Sequence, residues 1–289
     1  MFRLLVLAAA ILVPTGDGPP QQIVGQDRAG DAYEIRLRST TESSADDGSS
    51  SSDSRSGGLL IERVIAVRDD GLELEFDLPA DATTEARARD WQWPARVFKA
   101  EDGSLALLNA PELEARIDRW LALGGFPREA CGHWIFTWTA FKIECDPRSV
   151  ISTLAPFDLR ARDLRDGAPY PVRGGLQPAT LRQEPSGSRG LVLVGETAVD
   201  PDAVRREQAE SDVVVAEITG EPTTLEAALA GRAGHQITGT ITTTLTLDPE
   251  GRVRGRTSVT RLITTNAEGM VERSTSTQAV ERRPLPPGA

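Results

Sequence analysis

From residue 236 to residue 281 the chain alternates in steps of two, and two turn sequences break the alternation at regular spacing. Ile237, Ile241, Leu245 and Leu247 lead to Asp248-Pro249-Glu250-Gly251; Val253, Val259 and Ile263 lead to Asn266-Ala267-Glu268-Gly269. Residues two apart on an extended chain face the same way. The pattern predicts a three-stranded antiparallel meander with one apolar face and one rich in threonine and arginine.

The first half carries the same signal. Tyr33, Ile35 and Leu37 alternate with Glu34, Arg36 and Arg38, as expected for a half-buried first strand. An apolar run over 59–67, the turn Arg68-Asp69-Asp70-Gly71 and the alternating Leu72, Leu74, Phe76 and Leu78 read as a hairpin. A shorter pair brackets Glu101-Asp102-Gly103, and the segment 79–90 between these hairpins reads as a loop or frayed helix. Residues 40–58 are almost wholly serine, aspartate, glycine and threonine. So polar a segment buries too little apolar area to offset its ordering entropy, and the expectation is a flexible loop. Asp46, Asp47 and Asp53 within it are read as solvated rather than as calcium ligands.

Helices are signalled in the middle of the chain. Asn109 stands at a cap position, Pro111 suits a first turn, Leu113, Ile117, Trp120 and Leu121 share one helical face, and Gly124-Gly125 ends the run. This gives a helix near 111–123. Asp146-Pro147 opens a second near 147–154, Asp200-Pro201 a third near 201–211, and 224–230 a weaker fourth. Segments 171–182, 190–198 and 212–219 read as further strands. The predicted fold is mainly β (α+β): a single curved antiparallel sheet or half-barrel over 33–281, with a few helices covering its concave face. Two separate β units joined near 155–168 are the alternative. A polar lead over 19–32 and a disordered tail over 282–289 flank the domain.

Arg3 followed by ten apolar residues, Leu4 to Val13, and then by Pro14, Gly16 and Gly18 reads as a secretory signal peptide over 1–18, with an uncleaved N-terminal anchor as the competing reading. A bilayer span needs about 20 apolar residues. Periplasmic or secreted localisation follows as an expectation. The net charge of −11 speaks against nucleic acid or an anionic membrane surface as partner. Cys131 and Cys145 are the only cysteines, and in an exported chain an even number is expected to pair. On a straight helix their α-carbons would lie about 21 Å apart, so a disulfide demands a bend or hairpin near Trp138.

Enzyme signatures are missing: there is no G-x-S-x-G elbow, H-E-x-x-H, G-x-G-x-x-G or phosphate loop. No cofactor, metal site or catalytic residue is predicted, and His133 and His235 read as ordinary sheet or loop residues. Asp200, Asp202 and Glu207 lack the glycine of a calcium loop and suit a helix N-terminus instead. The tryptophans are the more suggestive group. Trp91, Trp93, Trp120, Trp134 and Trp138 all fall within 48 residues. On an extended segment Trp134, Phe136 and Trp138 share a face. Such rings either line a site for acyl chains, sugars or a peptide, or form core beneath the Trp120 helix.

The hairpin at Asp69-Asp70-Gly71, the phrase Phe98-Lys99-Ala100-Glu101-Asp102-Gly103-Ser104 leading to Asn109-Ala110-Pro111-Glu112-Leu113, and the closing meander with Asp248-Pro249-Glu250-Gly251 resemble the half-barrel proteins of the bacterial periplasm. The lipoprotein carriers LolA and LolB typify that group, and uncharacterised secreted families of the same patterning are closer still. The resemblance implies a bent sheet wrapping helices around an apolar cavity. Taken with the missing enzyme signatures, the N-terminal segment and the tryptophan cluster, this gives the expectation of a non-enzymatic exported protein that binds a lipid, another hydrophobic ligand or a lipidated partner, with Trp120, Trp134, Phe136 and Trp138 as lining residues. The alternative is a cell-envelope module that binds a protein or glycan without a cavity. The closing strands depart from the carriers in being threonine-rich rather than aromatic.

Overall fold

The computed structural model describes residues 27–48, 50–136, 140–160, 164–185 and 190–286. The expected signal peptide and Trp138 lie outside these residues. The first half contains β1 (Ala32–Ala45), β2 (Ser51–Arg68), β3 (Gly71–Asp77), α1 (Thr84–Arg89), β4 (Ala95–Ala100), β5 (Leu105–Leu107), α2 (Ala110–Gly124), β6 (Trp134–Phe136) and β7 (Ala140–Lys142). The second contains α3 (Ser149–Leu154), β8 (Pro169–Tyr170), β9 (Ala179–Thr180), β10 (Arg182–Glu184), β11 (Leu191–Ala198), α4 (Pro201–Thr219), α5 (Leu225–Gly231), β12 (Gln236–Leu247), β13 (Val253–Thr265) and β14 (Val271–Pro284).

Ten strands form one open antiparallel sheet in the order β10-β11-β12-β13-β14-β1-β2-β3-β4-β5. The meander β12–β13–β14 is where the alternation put it, and the two halves of the chain join where β14 pairs with β1. One face is covered. Ile35, Leu60, Val64, Leu74, Val97, Leu193 and Leu245 point to it and pack with Leu113, Ile117 and Leu121 of α2 and with Val150 and Leu154 of α3 in one continuous core. Helices α2 and α3 therefore lie over the sheet as expected.

Several expectations need correction. The 40–58 segment is no loop: it is the outer half of the β1–β2 hairpin, with Thr40 opposite Thr277 of β14 and Ser39 opposite Ser56 of β2. Composition counts apolar burial, whereas this ribbon is held by backbone hydrogen bonds on both sides of β1. Residues 212–219 are not a strand but the second half of α4, which runs to Thr219 and ends on Gly220 in the left-handed conformation (φ 78°). Local β preference of Val213, Val214 and Val215 amounts to less than about 1 kcal/mol, and a capped, already nucleated helix overrides it. Residues 282–284 belong to β14 rather than to a tail, and the stretch 171–182 holds only the short β9 and the start of β10.

The face assignment within β13 also changes. A bulge where Leu247 opposes Val253 but Thr246 opposes Gly255 inserts one extra residue. Val253 stays inside, yet beyond it the parity flips. Val259 and Ile263 then lie opposite Thr242 and Thr238 on the outer face, while Arg256 faces inward beside Leu245.

Candidate functional site

The sequence nominated an aromatic group, and the structure divides it. Trp120 stands on the half-buried flank of α2. Its ring lies 6.1 Å from that of Phe126, which meets Phe141 edge-on at 6.5 Å. Two glycines make this possible. A Cβ on Gly124 would sit 2.6 Å from the Phe126 ring, and Gly125 takes φ 68° to turn the chain out of the helix. Asn109, at the N-cap, does not cap with its side chain: its Oδ1 accepts from the Arg96 N–H (2.9 Å) and its Nδ2 donates to the Pro94 carbonyl (3.1 Å). It fixes α2 to β4 instead.

Phe141 belongs to the small hairpin β6–β7, where it pairs with Ile135, and both pack against the core. The Cys131–Cys145 disulfide closes the base of this hairpin, with α-carbons 5.5 Å apart, as the pairing argument required. Trp134 pairs with Lys142 and therefore projects from the opposite face of the hairpin. On that side the hairpin is tied to the last turn of α4, where Glu217 Oε1 accepts from the Trp134 N–H at 3.1 Å and lies 3.3 Å from His133 Nδ1. Trp120 and Trp134 thus do not share a surface; Trp120 neighbours Phe126, which in turn meets Phe141. The Phe136 backbone lies in β6, and its side chain falls outside the described residues. Leu123, one turn from Trp120, is 73% exposed.

A second constellation was not foreseen. At the centre of the covered face Glu62 of β2 is 1% exposed and Arg282 of β14 is 4% exposed. Arg160 donates to both Glu62 oxygens (2.6 and 2.7 Å), and Arg282 donates to Glu62 Oε1 through Nη2 (2.7 Å) and Nε (3.2 Å). Asp27 accepts from Arg160 (3.0 Å), from Arg282 (3.1 Å) and from the Tyr33 hydroxyl (3.2 Å). The Arg282 guanidinium also lies 3.4 Å from the centre of the Tyr33 ring. Two cations and two anions balance. Burial pushes the Glu62 and Asp27 carboxyls upward, but the Arg160 and Arg282 guanidinium groups outweigh it and hold both below the usual carboxylate range. The same carboxylates raise the Arg160 guanidinium above its ordinary value despite burial.

This network is the centre of a strap, residues 155–160, that crosses the sheet. Phe157 lies on Gly58, Lys99 of β4 pairs with Asp158, and Arg256 of β13 donates to the carbonyls of Pro156 (2.6 Å) and Asp158 (3.2 Å). The sequence did hold one signal: Leu60, Glu62 and Val64 share a strand face, so a carboxylate stands where an apolar residue is expected.

Other acidic residues are accounted for locally. Asp200 caps α4 by accepting from the N–H groups of Asp202 and Ala203, Asp46 pairs with Arg273, and Asp53 pairs with Arg55. Among the described residues no three His, Cys, Asp or Glu side chains gather as a metal site, and no helix is long and apolar enough to cross a membrane. A groove of about 530 Å³ lies between α4 and α5, lined by Val215, Ala216 and Ala228 as well as by Asp212, Arg232 and His235.

No protein-family model matches the chain, and no curated protein matches it by sequence. Several solved structures are similar in part, among them the following three. A structure of lipid–protein interactions in lipovitellin aligns at TM-score 0.42 and 9% identity, over 91% of this chain and 26% of that one, so the chain spans about a quarter of its length. An outer membrane channel from Pseudomonas putida F1 aligns at TM-score 0.23 and 9% identity, over 89% of this chain and 97% of that one. A loop-deletion mutant of OmpT, an outer membrane protein of Vibrio cholerae, aligns at TM-score 0.17 and 6% identity, over 88% and 99%. At such scores the likeness carries no argument about what this chain binds.

Proposed function

We propose that the chain is an exported binding protein, not an enzyme, which receives an apolar group of a lipid or lipidated partner on the ledge formed by Trp120, Phe126 and Phe141. One observation carries this reading: these rings stay half-buried on rigid elements, a helix and a disulfide-closed hairpin, beside the exposed Leu123. The same geometry restricts the half-barrel expectation. The centre of the covered face is filled by the Glu62–Arg160–Arg282–Asp27 network and its strap, an environment that would desolvate charge against an acyl chain. The ligand therefore sits at the α2 end, not beneath the middle of the sheet. The disulfide supports an oxidising compartment, periplasmic or extracellular.

Intrinsic fluorescence tests this. Palmitate or zwitterionic phosphatidylcholine vesicles should shift the tryptophan emission to the blue, and Phe126→Ala, which retains every tryptophan, should abolish the shift. No shift, with no lipid in the purified protein, sinks the proposal.

A second reading rests on a different surface. Inward positions of the outer ribbon are nearly all hydroxyl-bearing: Ser39, Thr41, Ser43, Ser274 and Ser276, with Gln278 beside them. Such a face suits a glycan, and the test of this reading is a glycan array: binding that survives Phe126→Ala favours it, and no binding sinks it.

A further inference from the structure

The ten-stranded sheet has short outer edges, three residues each in β5 and β10. Its long unpaired edge is internal to the order of strands. β2 begins at Ser51, but its pairing with β3 begins only at Ile61. From Ser51 to Leu60 the side of β2 turned away from β1 has no strand partner among the described residues, and Ser51 to Gly57 are all exposed. Edges of this kind are usually blunted by proline, lysine or a bulge. This one has none of these: its only charged residues are Asp53 and Arg55.

The direction of the backbone follows from the ladder. Val64 donates to the Asp31 carbonyl and the Ser50 carbonyl accepts from Ala45, so even-numbered residues of β2 direct their hydrogen-bonding groups at β1. The β1–β2 register runs without a shift. Ser51, Asp53, Arg55 and Gly57 therefore present N–H and C=O groups outward.

We infer that this edge pairs with the same edge of a second copy of the chain, antiparallel about a two-fold axis at Ser54, to make one continuous sheet across the dimer. The segment Ser51-Ser52-Asp53-Ser54-Arg55-Ser56-Gly57 is complementary to itself about that point. Asp53 stands opposite the partner's Arg55, and Arg55 opposite the partner's Asp53. Ser51 faces the partner's Gly57 and Ser52 the partner's Ser56, so no bulky or like-charged pair forms. All of the outward-directed residues meet outward-directed residues, which is the condition for hydrogen-bonded pairs. Moving the axis by one residue sets Asp53 against itself or Arg55 against itself, which fixes the register. Within one chain Asp53 is flanked by Glu42 across the β1–β2 pair and pairs with Arg55 at 3.0 Å. The dimer sets a second guanidinium on its open side. The contact is isologous and closes at two copies, which avoids a growing fibre.

Sedimentation velocity over a concentration series tests this with the purified protein. The wild type should pass from monomer to dimer as concentration rises. Arg55→Asp turns both attractive pairs repulsive and should weaken dimerisation about tenfold or more. Arg55→Pro removes an outward donor and the exposed guanidinium but no hydrogen bond to β1, so the monomer should fold and the dimer should be lost. The doubly exchanged variant Asp53→Arg/Arg55→Asp should dimerise with itself as well as wild type does, yet form no mixed dimer with wild type. A wild type that stays monomeric at every concentration overturns the inference. So does a dimer indifferent to Arg55→Asp, or an exchanged variant that mixes freely with wild type.

Discussion

Replacing Glu62 by glutamine removes one negative charge from the centre of the sheet while keeping the side-chain shape. Glu62 is 1% exposed and accepts four hydrogen bonds from Arg160 and Arg282. The amide can accept on one side only, and its NH2 group faces a guanidinium. The buried Arg282 and the half-buried Arg160 are left to share Asp27. Removing one partner of a buried ion pair typically costs about 3–5 kcal/mol, since the remaining charge is uncompensated. Against a total stability of roughly 5–15 kcal/mol this is a large fraction. At about 2–4 °C per kcal/mol for a domain of this size, the melting temperature should fall by about 10 °C.

The variant also changes the response to acid. The folded carboxyls of Glu62 and Asp27 are held below their ordinary values of 4.5 and 3.8, so the unfolded chain takes up protons first as the solution is acidified. Their stabilisation is complete above about pH 4.5 and is lost as the pH falls below it. Glu62→Gln should be less stable at neutral pH and show a flatter loss between pH 4.5 and 3. Urea unfolding followed by circular dichroism at several pH values measures both. A loss under about 1 kcal/mol at pH 7, or an unchanged acid slope, refutes the reasoning that the network is closed and dry.

Three further outcomes follow from named contacts. A Cβ on Gly58 would stand 2.9 Å from Phe157 Cζ, so Gly58→Ala should destabilise by about 1–3 kcal/mol in urea titration, and adding Phe157→Leu should recover part of the loss. Asn109→Ala leaves the Arg96 N–H without its acceptor, while the Pro94 carbonyl keeps its bond from Arg116 (2.8 Å), and thermal melts should show a cost of about 1–3 kcal/mol. Cys131→Ser/Cys145→Ser opens a closed loop of sequence separation 14, which should lower stability by about 3 kcal/mol and broaden tryptophan emission as the Trp120 ledge loosens.

Period-two alternation and turn chemistry are local properties, so the sequence by itself determined the strands of the closing meander, the β2–β3 hairpin, the extent of α2 and the bend that lets Cys131 reach Cys145. Each needs only residues within a few positions of one another. Tertiary structure decided the rest. The 40–58 ribbon exists because β14, more than 200 residues away, supplies hydrogen bonds that its own composition does not reveal. Residues 212–219 carry β-branched side chains yet continue a helix begun at Pro201. The bulge between Thr246 and Leu247 reverses which side of β13 is inside, and so brings Arg256 rather than Val259 to the covered face. The ion network gathers Asp27, Glu62, Arg160 and Arg282 from four distant segments. A single charge among apolar neighbours marks one such residue, but its partners are chosen by strand order and register, which are properties of the whole folded chain.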